Sequence, residues 1–295
     1  MMKMTGPHIR AFFKVAISIA CCAWVISRFS EIDLTVSRDM LRYMPPGLFA
    51  ATLILFIALS ISRILRLRYW FGALPGVHLT LGAWIEIYLK STIFGSLTPA
   101  RLGDASRVFM LEATEVPLKK RGILFLYEKL ADSLYIPAGL LVAGPLLIAK
   151  TGFPPVILLA LGISIFLVYC AVTLGLVRLM GAGALLAGLL YTVAGFVLFV
   201  AGNTLIFRTL AIELTVADVA AIAIGAGMAA SLPVSMGGIG VRDGVLAVLL
   251  GLWGVSPERI PPVLFFEFFI NTILPVILYL AWRRVAPHTL SAPAP

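Results

Sequence analysis

Charge is what this 295-residue sequence has least of. Asp, Glu, Lys and Arg make up 13% of it, against about 25% in an average soluble protein. With hydrophobic residues at 61% and a mean hydropathy of +1.04, a water-soluble fold is excluded. Histidine is nearly absent: His8, His78 and His288 lie in the termini or at the edge of an apolar stretch. Neither a His-ligated metal nor a Ser-His-Asp system inside a membrane can be built from them. Cys21, Cys22 and Cys170 all sit in apolar stretches without CxxC or Cys/His spacing, and read as small packing residues. There is no HExxH, no Walker loop and no Asp-rich metal box, so no cofactor or metal is expected. Energy from ATP would have to come from another chain.

What the sequence does have is apolar residues in long unbroken runs. Backbone groups in hydrocarbon must be hydrogen-bonded within the protein, and these runs do not alternate as barrel strands do. The expected fold is an all-α integral membrane protein. It is read as a single polytopic domain over 1–295, with halves at about 1–150 and 151–285 and a short tail at 286–295. Runs near the roughly 20 residues that cross a bilayer fall at 11–29, 47–65, 122–148, 156–178, 184–207 and 261–282. The first follows Lys3, Arg10 and Lys14 as a signal peptide would, but has no small-residue cleavage site and reads as a retained span.

Two further regions, 79–116 and 216–253, are apolar but broken, by Ser96 through Asp104 and by Pro233 through Gly240. Each is expected to be a helical hairpin, hinged at Pro99 and Gly103 or at Pro233. That makes about eight membrane segments. With the N-terminus inside, Lys3, Arg10, Lys14, Arg63, Arg66, Arg68, Lys119, Lys120, Arg121, Arg178, Arg283 and Arg284 fall on the cytoplasmic face. Only Arg28, Arg38, Arg42, Lys150, Arg208 and Arg259 fall on the other. Both termini are then expected to be cytoplasmic. The net charge of +9 resides at the ends of apolar segments, where it meets headgroups, and no nucleic-acid partner is expected.

The chain also reads as two copies of one unit. Leu124-Phe125-Leu126-Tyr127-Glu128 with Asp132 is matched by Leu264-Phe265-Phe266-Glu267 with Asn271, and Pro99-x-x-x-Gly103 by Pro233-x-x-x-Gly237. An odd number of crossings per half predicts inverted repeats whose hairpins meet near the midplane.

Ionisable side chains inside apolar segments face a partner or a wet cavity, because each costs at least about 2.5–3.5 kcal/mol at a helix centre. The first half holds Glu86, Lys90, Arg101, Asp104, Arg107, Glu128, Lys129 and Asp132, and the second Arg242, Asp243, Glu267 and Asn271. Arg107 and Arg242 follow the hinges at the expected start of a new helix, where free amides and the dipole favour an anion. The run Gly237-Gly238-Ile239-Gly240 allows close approach of a ligand or of another helix. Simpler roles stay open. Arg107 could only pair with Glu128 or Asp132 and Arg242 with Glu267, Glu86 and Lys90 could form a local pair, and Asp104 and Asp243 could cap helices.

Three pieces carry a resemblance to a known family: Pro99-Ala-Arg-Leu-Gly-Asp104-Ala-Ser-Arg107, Glu128-Lys-Leu-Ala-Asp132, and Pro233-Val-Ser-Met-Gly-Gly-Ile-Gly-Val-Arg242-Asp243. In them the chain resembles the lysylphosphatidylglycerol synthase transmembrane-region proteins, also described as flippase-like. Asp243 stands where the family more often has Glu, and Arg101-Leu102-Gly103 replaces a more Gly-rich hinge. The resemblance implies a protein of a bacterial cytoplasmic (inner) membrane that moves polar-headed lipids between leaflets. Candidate substrates are a phospholipid or an aminoacylated, hopanoid or polyprenyl-linked lipid. It also implies that a separate lipid-modifying enzyme is a partner, since the sequence after the last span is too short for an aminoacyltransferase and the chain is not expected to be an enzyme. Two other readings remain: a membrane enzyme using the acidic cluster on a lipid-linked substrate, and a non-transporting subunit of an envelope-lipid pathway.

Overall fold

The computed structural model describes residues 34–98, 101–111, 116–132, 140, 144–146, 148–152, 154–230 and 241–286, and the regular elements in them are helical. Helix α1 is Leu34–Arg42 and α2 is Pro46–Gly72, with proline in its first turn, where a missing N–H is no loss. Helix α3, Leu81–Leu97, starts at Thr80, whose hydroxyl accepts the Ala83 N–H at 3.3 Å. A 3₁₀ turn, Leu102–Ala105, and the five-residue α4, Ser106–Met110, then pack back on α3. Next come α5, Leu118–Asp132; α6, Pro155–Met180; α7, Ala182–Thr209; α8, Val216–Ala230; and α9, Val241–Leu252, packed on α8. The last span is continuous over Pro257–Val285 and is built from a 3₁₀ turn, α10 (Ile260–Phe268), a π turn (Phe269–Ile273) and α11 (Leu274–Val285).

Among the described residues, four helices are long and apolar enough to cross a membrane: Pro46–Gly72, Pro155–Val177, Ala182–Thr209 and Pro257–Val285. The expected stretch at 11–29 lies outside the described residues, which leaves about four to five long spans and overturns the expectation of eight. Helix α5 is described over Leu118–Asp132 and is not among the long apolar spans. The arms of the first hairpin are short, at 17 and 5 residues for α3 and α4, and α8 and α9 are described over 15 and 12 residues. Hydropathy counted them as crossings because they are apolar, but they are lodged among the long helices.

The inverted repeat falls with the count. Of its two equated third spans, Pro257–Val285 is a long apolar crossing, while Leu118–Asp132 opens on Lys119, Lys120 and Arg121 and is not among the long spans. Similar tetrapeptides thus sit in unlike elements, and no clear repeat is present among the described residues. Pro99, Pro233, Gly237, Gly238 and Gly240, and with them most of both hinges, lie outside the described residues. The division of basic residues between two faces also rested on eight crossings. One of those residues, Arg66, is 4% exposed within α2.

Helices α2 and α7 form the spine. A methyl group on Gly188 would overlap the Trp70 indole, one on Gly195 would touch Leu59, and one on Gly202 would press on the Phe56 ring at 2.8 Å. As one helix is read upward the other is read downward, so the pair is antiparallel, and glycines spaced seven apart let the large side chains of α2 seat on α7. Ser62 Oγ donates to Tyr191 O at 2.8 Å across the same seam. One apolar core lies around α7, α8, α9 and α10, a second around α2, α3 and α5, and a cavity is lined from both.

Candidate functional site

The cavity has a volume of about 1140 Å³ and is lined from both cores. Its first polar wall is built on α2, α5 and the hairpin turn after α3. Arg66 Nη2 lies 2.6 Å from Asp132 Oδ1 and 3.4 Å from Glu128 Oε1, and its Nη1 donates to Thr192 at 3.4 Å. Arg107 Nη1 donates to the same Glu128 Oε1 at 2.5 Å. Lys129 Nζ donates to Asp104 Oδ2 at 2.5 Å, and Arg101 and Arg107 lie 3.7 and 3.8 Å from the Asp104 carboxylate. Arg63 hydrogen-bonds Tyr88 and faces Asp132 and Asp104.

The turn that delivers Asp104 is shaped by its backbone. Arg101 takes a left-handed φ of 54°. The Gly103 N–H then donates to Thr98 Oγ1 at 2.6 Å, and Gly103 packs so tightly on the Phe94 carbonyl that a Cβ there would overlap it. Gly95 leaves the matching space on α3 for the Asp104 carboxylate. Glycine at 103 is therefore required by close approach.

Charge on this wall does not balance. Among the described cavity residues, Arg63, Arg66, Arg101, Arg107 and Lys129 face Asp104, Glu128 and Asp132, five cations to three carboxylates. Buried polar atoms are also left over: Arg66 Nε and Arg101 Nε have no acceptor, and Asp104 Oδ1 and Glu128 Oε2 no donor. Such groups are destabilising unless something else completes them.

The second wall is built on α9 and the last span. Arg242 donates to Asp243 Oδ1 through Nε at 3.0 Å and Nη2 at 2.8 Å, while its Nη1 lies 3.6 Å from Glu267 Oε2. Asn271 Nδ2 donates to Glu267 Oε2 at 2.9 Å and to the Glu267 carbonyl at 2.8 Å. Asn271 lies in the π turn, whose cause is Pro275: it has no N–H for the Asn271 carbonyl, and its ring crowds that position.

Eight of the expected site residues thus meet at one cavity: Arg101, Asp104, Arg107, Glu128, Asp132, Arg242, Glu267 and Asn271. Asp243 reaches it only through Arg242, and Gly103 shapes it from behind. Arg107 is the second residue of a new helix, as expected, but α4 has only five residues, too few to hold an anion by its dipole. Glu86 and Lys90 pair at 2.7 Å but away from the cavity, where Arg283 joins them at 3.3 Å and ties α11 to α3. Arg63 and Arg66 were missed as site residues because they stand near the end of an apolar run, where they read as interfacial anchors. Their spacing of three, which places them on one helix face, was the available signal.

Residues 11–183 match the model of the family described as the lysylphosphatidylglycerol synthase TM region, more than half of the chain. The chain belongs to that family. No curated protein matches it. The first wall, from Arg63 to Asp132, lies wholly within the lysylphosphatidylglycerol synthase TM region, and Arg242, Asp243, Glu267 and Asn271 lie beyond the matched residues. The match is to a membrane region, and the chain is a flippase-like integral membrane protein.

Proposed function

We propose that the protein moves polar-headed lipids between the leaflets of a bacterial cytoplasmic membrane, with the headgroup in the cavity and the acyl chains left in the bilayer. The observation that carries this reading is the pairing of a cation-rich wall with an apolar side wall. Val156, Leu159, Ile163 and Phe166 of α6 line the cavity and are exposed. Only 17% of the α6 window is buried, against 33% for the last span, so this side of the cavity is thin and faces lipid. A headgroup entering there meets two surplus positive charges and the unpaired Nε donors of Arg66 and Arg101, an environment that complements a phosphate. Asp104 Oδ1 and Glu128 Oε2 complement hydroxyl or ammonium groups on the same headgroup.

Phospholipids and aminoacylated, hopanoid-type or polyprenyl-linked lipids all fit this description, and a separate lipid-modifying enzyme would supply the modified ones. Arg283 and Arg284 close the last span, which favours a cytoplasmic C-terminus.

The test is leaflet exchange of headgroup-labelled lipids in proteoliposomes holding wild-type protein or Arg107→Gln. Exchange in the wild type that falls at least about tenfold in the variant, the effect of removing roughly 1.4 kcal/mol of headgroup interaction, supports the reading. Wild-type vesicles no faster than empty ones, across a panel of anionic, zwitterionic and cationic lipids, would overturn it.

A further inference from the structure

The two walls of the cavity carry opposite charge imbalances, and the second has received no role. Around Arg242 there are two carboxylates, Asp243 and Glu267, all three at most 9% exposed. The guanidinium is spent mainly on Asp243, through two hydrogen bonds to Oδ1. Glu267 lies 3.6 Å from Nη1, beyond hydrogen-bond reach, and the hydrogen bond given for its carboxylate comes from the neutral amide of Asn271. The charged groups that bear on Glu267 are Arg242 and Asp243, both from α9. From the other elements that meet it at the cavity come neutral Asn203 and Thr92. Arg242 is thus shared between two buried carboxylates, and the one negative charge left in excess is disfavoured in a low-dielectric site; neutralisation of Glu267 by a proton relieves it.

We propose that the Arg242–Asp243–Glu267 cluster is a proton-binding site, and that Glu267 takes up and releases one proton as the protein moves between its open and closed forms. Uptake converts the Glu267 carboxylate to the acid and takes the cluster from a net charge of −1 to zero; release reverses this, with no other bond made or broken. Glu267 lies ten residues into the last span, about 15 Å along it, so the proton is held within the bilayer and opens on the same cavity as the cation-rich wall. The π turn beside it supplies the means of response. Asn271 in that turn reads Glu267 with one amide hydrogen on Oε2 and on the main-chain carbonyl, so a change in the carboxyl is felt by the irregular segment of the helix.

This inference rests on the lipid-moving reading, and the experiment separates the two. Full-length protein is reconstituted in vesicles of phosphatidylglycerol and phosphatidylcholine enclosing a pH-sensitive dye, and lipid exchange and proton entry are followed under an imposed pH gradient. Wild-type protein should show gradient-dependent exchange together with proton entry, and Glu267→Gln, which keeps the Asn271 hydrogen bond, should lose both gradient effects. Asn271→Asp guards against misfolding of the first variant. A second carboxylate in hydrogen-bond reach should move the midpoint of the wild-type pH profile up by about one unit. Exchange that ignores the gradient, or Glu267→Gln that keeps its gradient response, or an unmoved midpoint in Asn271→Asp, would overturn the proton site. Proton entry that depends on Glu267 without any lipid exchange would keep the site and sink the lipid-moving reading instead.

Discussion

Glu128 holds two guanidinium groups through a single oxygen, since both Arg66 and Arg107 approach Oε1 while Oε2 is buried without a partner. Replacing it by glutamine removes, among the described residues, the only carboxylate within 3.5 Å of Arg107, whose next acid, Asp104, is 3.8 Å away. Removing one partner of a buried pair costs about 3–5 kcal/mol, because the remaining charge stays buried. Glu128→Gln should therefore lower thermal stability in detergent by about that amount and abolish lipid exchange, while the protein still inserts. Asp132→Asn should be milder, because its side chain is 36% exposed and solvent screens the loss. A finding that the two variants are equally stable would show that the wall is not organised around Glu128. At Gly103 the constraint is steric. Gly103→Ala would drive a methyl into the Phe94 carbonyl, which cannot swing aside, and should cost about 1–3 kcal/mol. Gly122→Ala on α5, with nothing within 4 Å, should be neutral or slightly stabilising in the same melting measurement.

Between elements, the glycine spacing of α7 predicts a graded response. Alanine at Gly195 makes an ordinary 3.5 Å contact and should be tolerated; at Gly202 it meets the movable edge of Phe56 at 2.8 Å; at Gly188 it meets the Trp70 indole, a fully buried ring packed on Tyr127 at 4.9 Å. Melting temperatures should fall in the order Gly195→Ala, Gly202→Ala, Gly188→Ala, the last losing about 1–3 kcal/mol, and any other order would contradict the antiparallel register. The mouth of the α8–α9 hairpin carries a pH-dependent clasp. Asp218 accepts from the Thr215 N–H at 2.9 Å, the Thr215 hydroxyl at 2.6 Å and the Trp253 indole at 2.7 Å, while the Asp218 N–H donates back to Thr215 Oγ1. Slight burial acts to raise its pKa, but these hydrogen bonds outweigh it and hold the carboxyl below the usual carboxylate range. A carboxyl lowered by folding contributes stability above its unfolded value, about pH 3.9, and loses it as pH falls through the folded value. Hydrogen exchange at the start of α8 should therefore be flat from neutral pH down to about pH 5 and accelerate below about pH 4, and in Asp218→Asn that acid step should vanish.

At the scale of the molecule, the parts legible in the sequence are those that follow from solvation. An all-helical membrane protein follows from unbroken apolarity, and eight cavity residues follow from the expense of placing charge in such runs. What was not legible depends on partners distant in sequence. The end of α2 was read at the basic residues, but Arg66 pairs with Asp132 from another helix, so α2 continues to Gly72 and carries Trp70 and Phe71 into the core. The count of spans failed because apolarity reports burial in lipid or in protein alike, and α8 and α9 are buried in protein. The arrangement that emerges has a surplus of two positive charges on one wall and of one negative charge on the other, and it makes a prediction that no single residue could. Lys129→Gln with Arg101→Gln brings the first wall to three cations and three carboxylates while leaving the Arg66–Glu128–Arg107 core intact. With the positive surplus gone, exchange of anionic phosphatidylglycerol should fall at least about tenfold relative to exchange of zwitterionic phosphatidylcholine in the same vesicles. Added salt should blunt the wild-type preference only weakly, because the charges act across a buried cavity rather than through open solvent. If both lipids slow equally in the double variant, the surplus charge serves the fold and not the choice of headgroup.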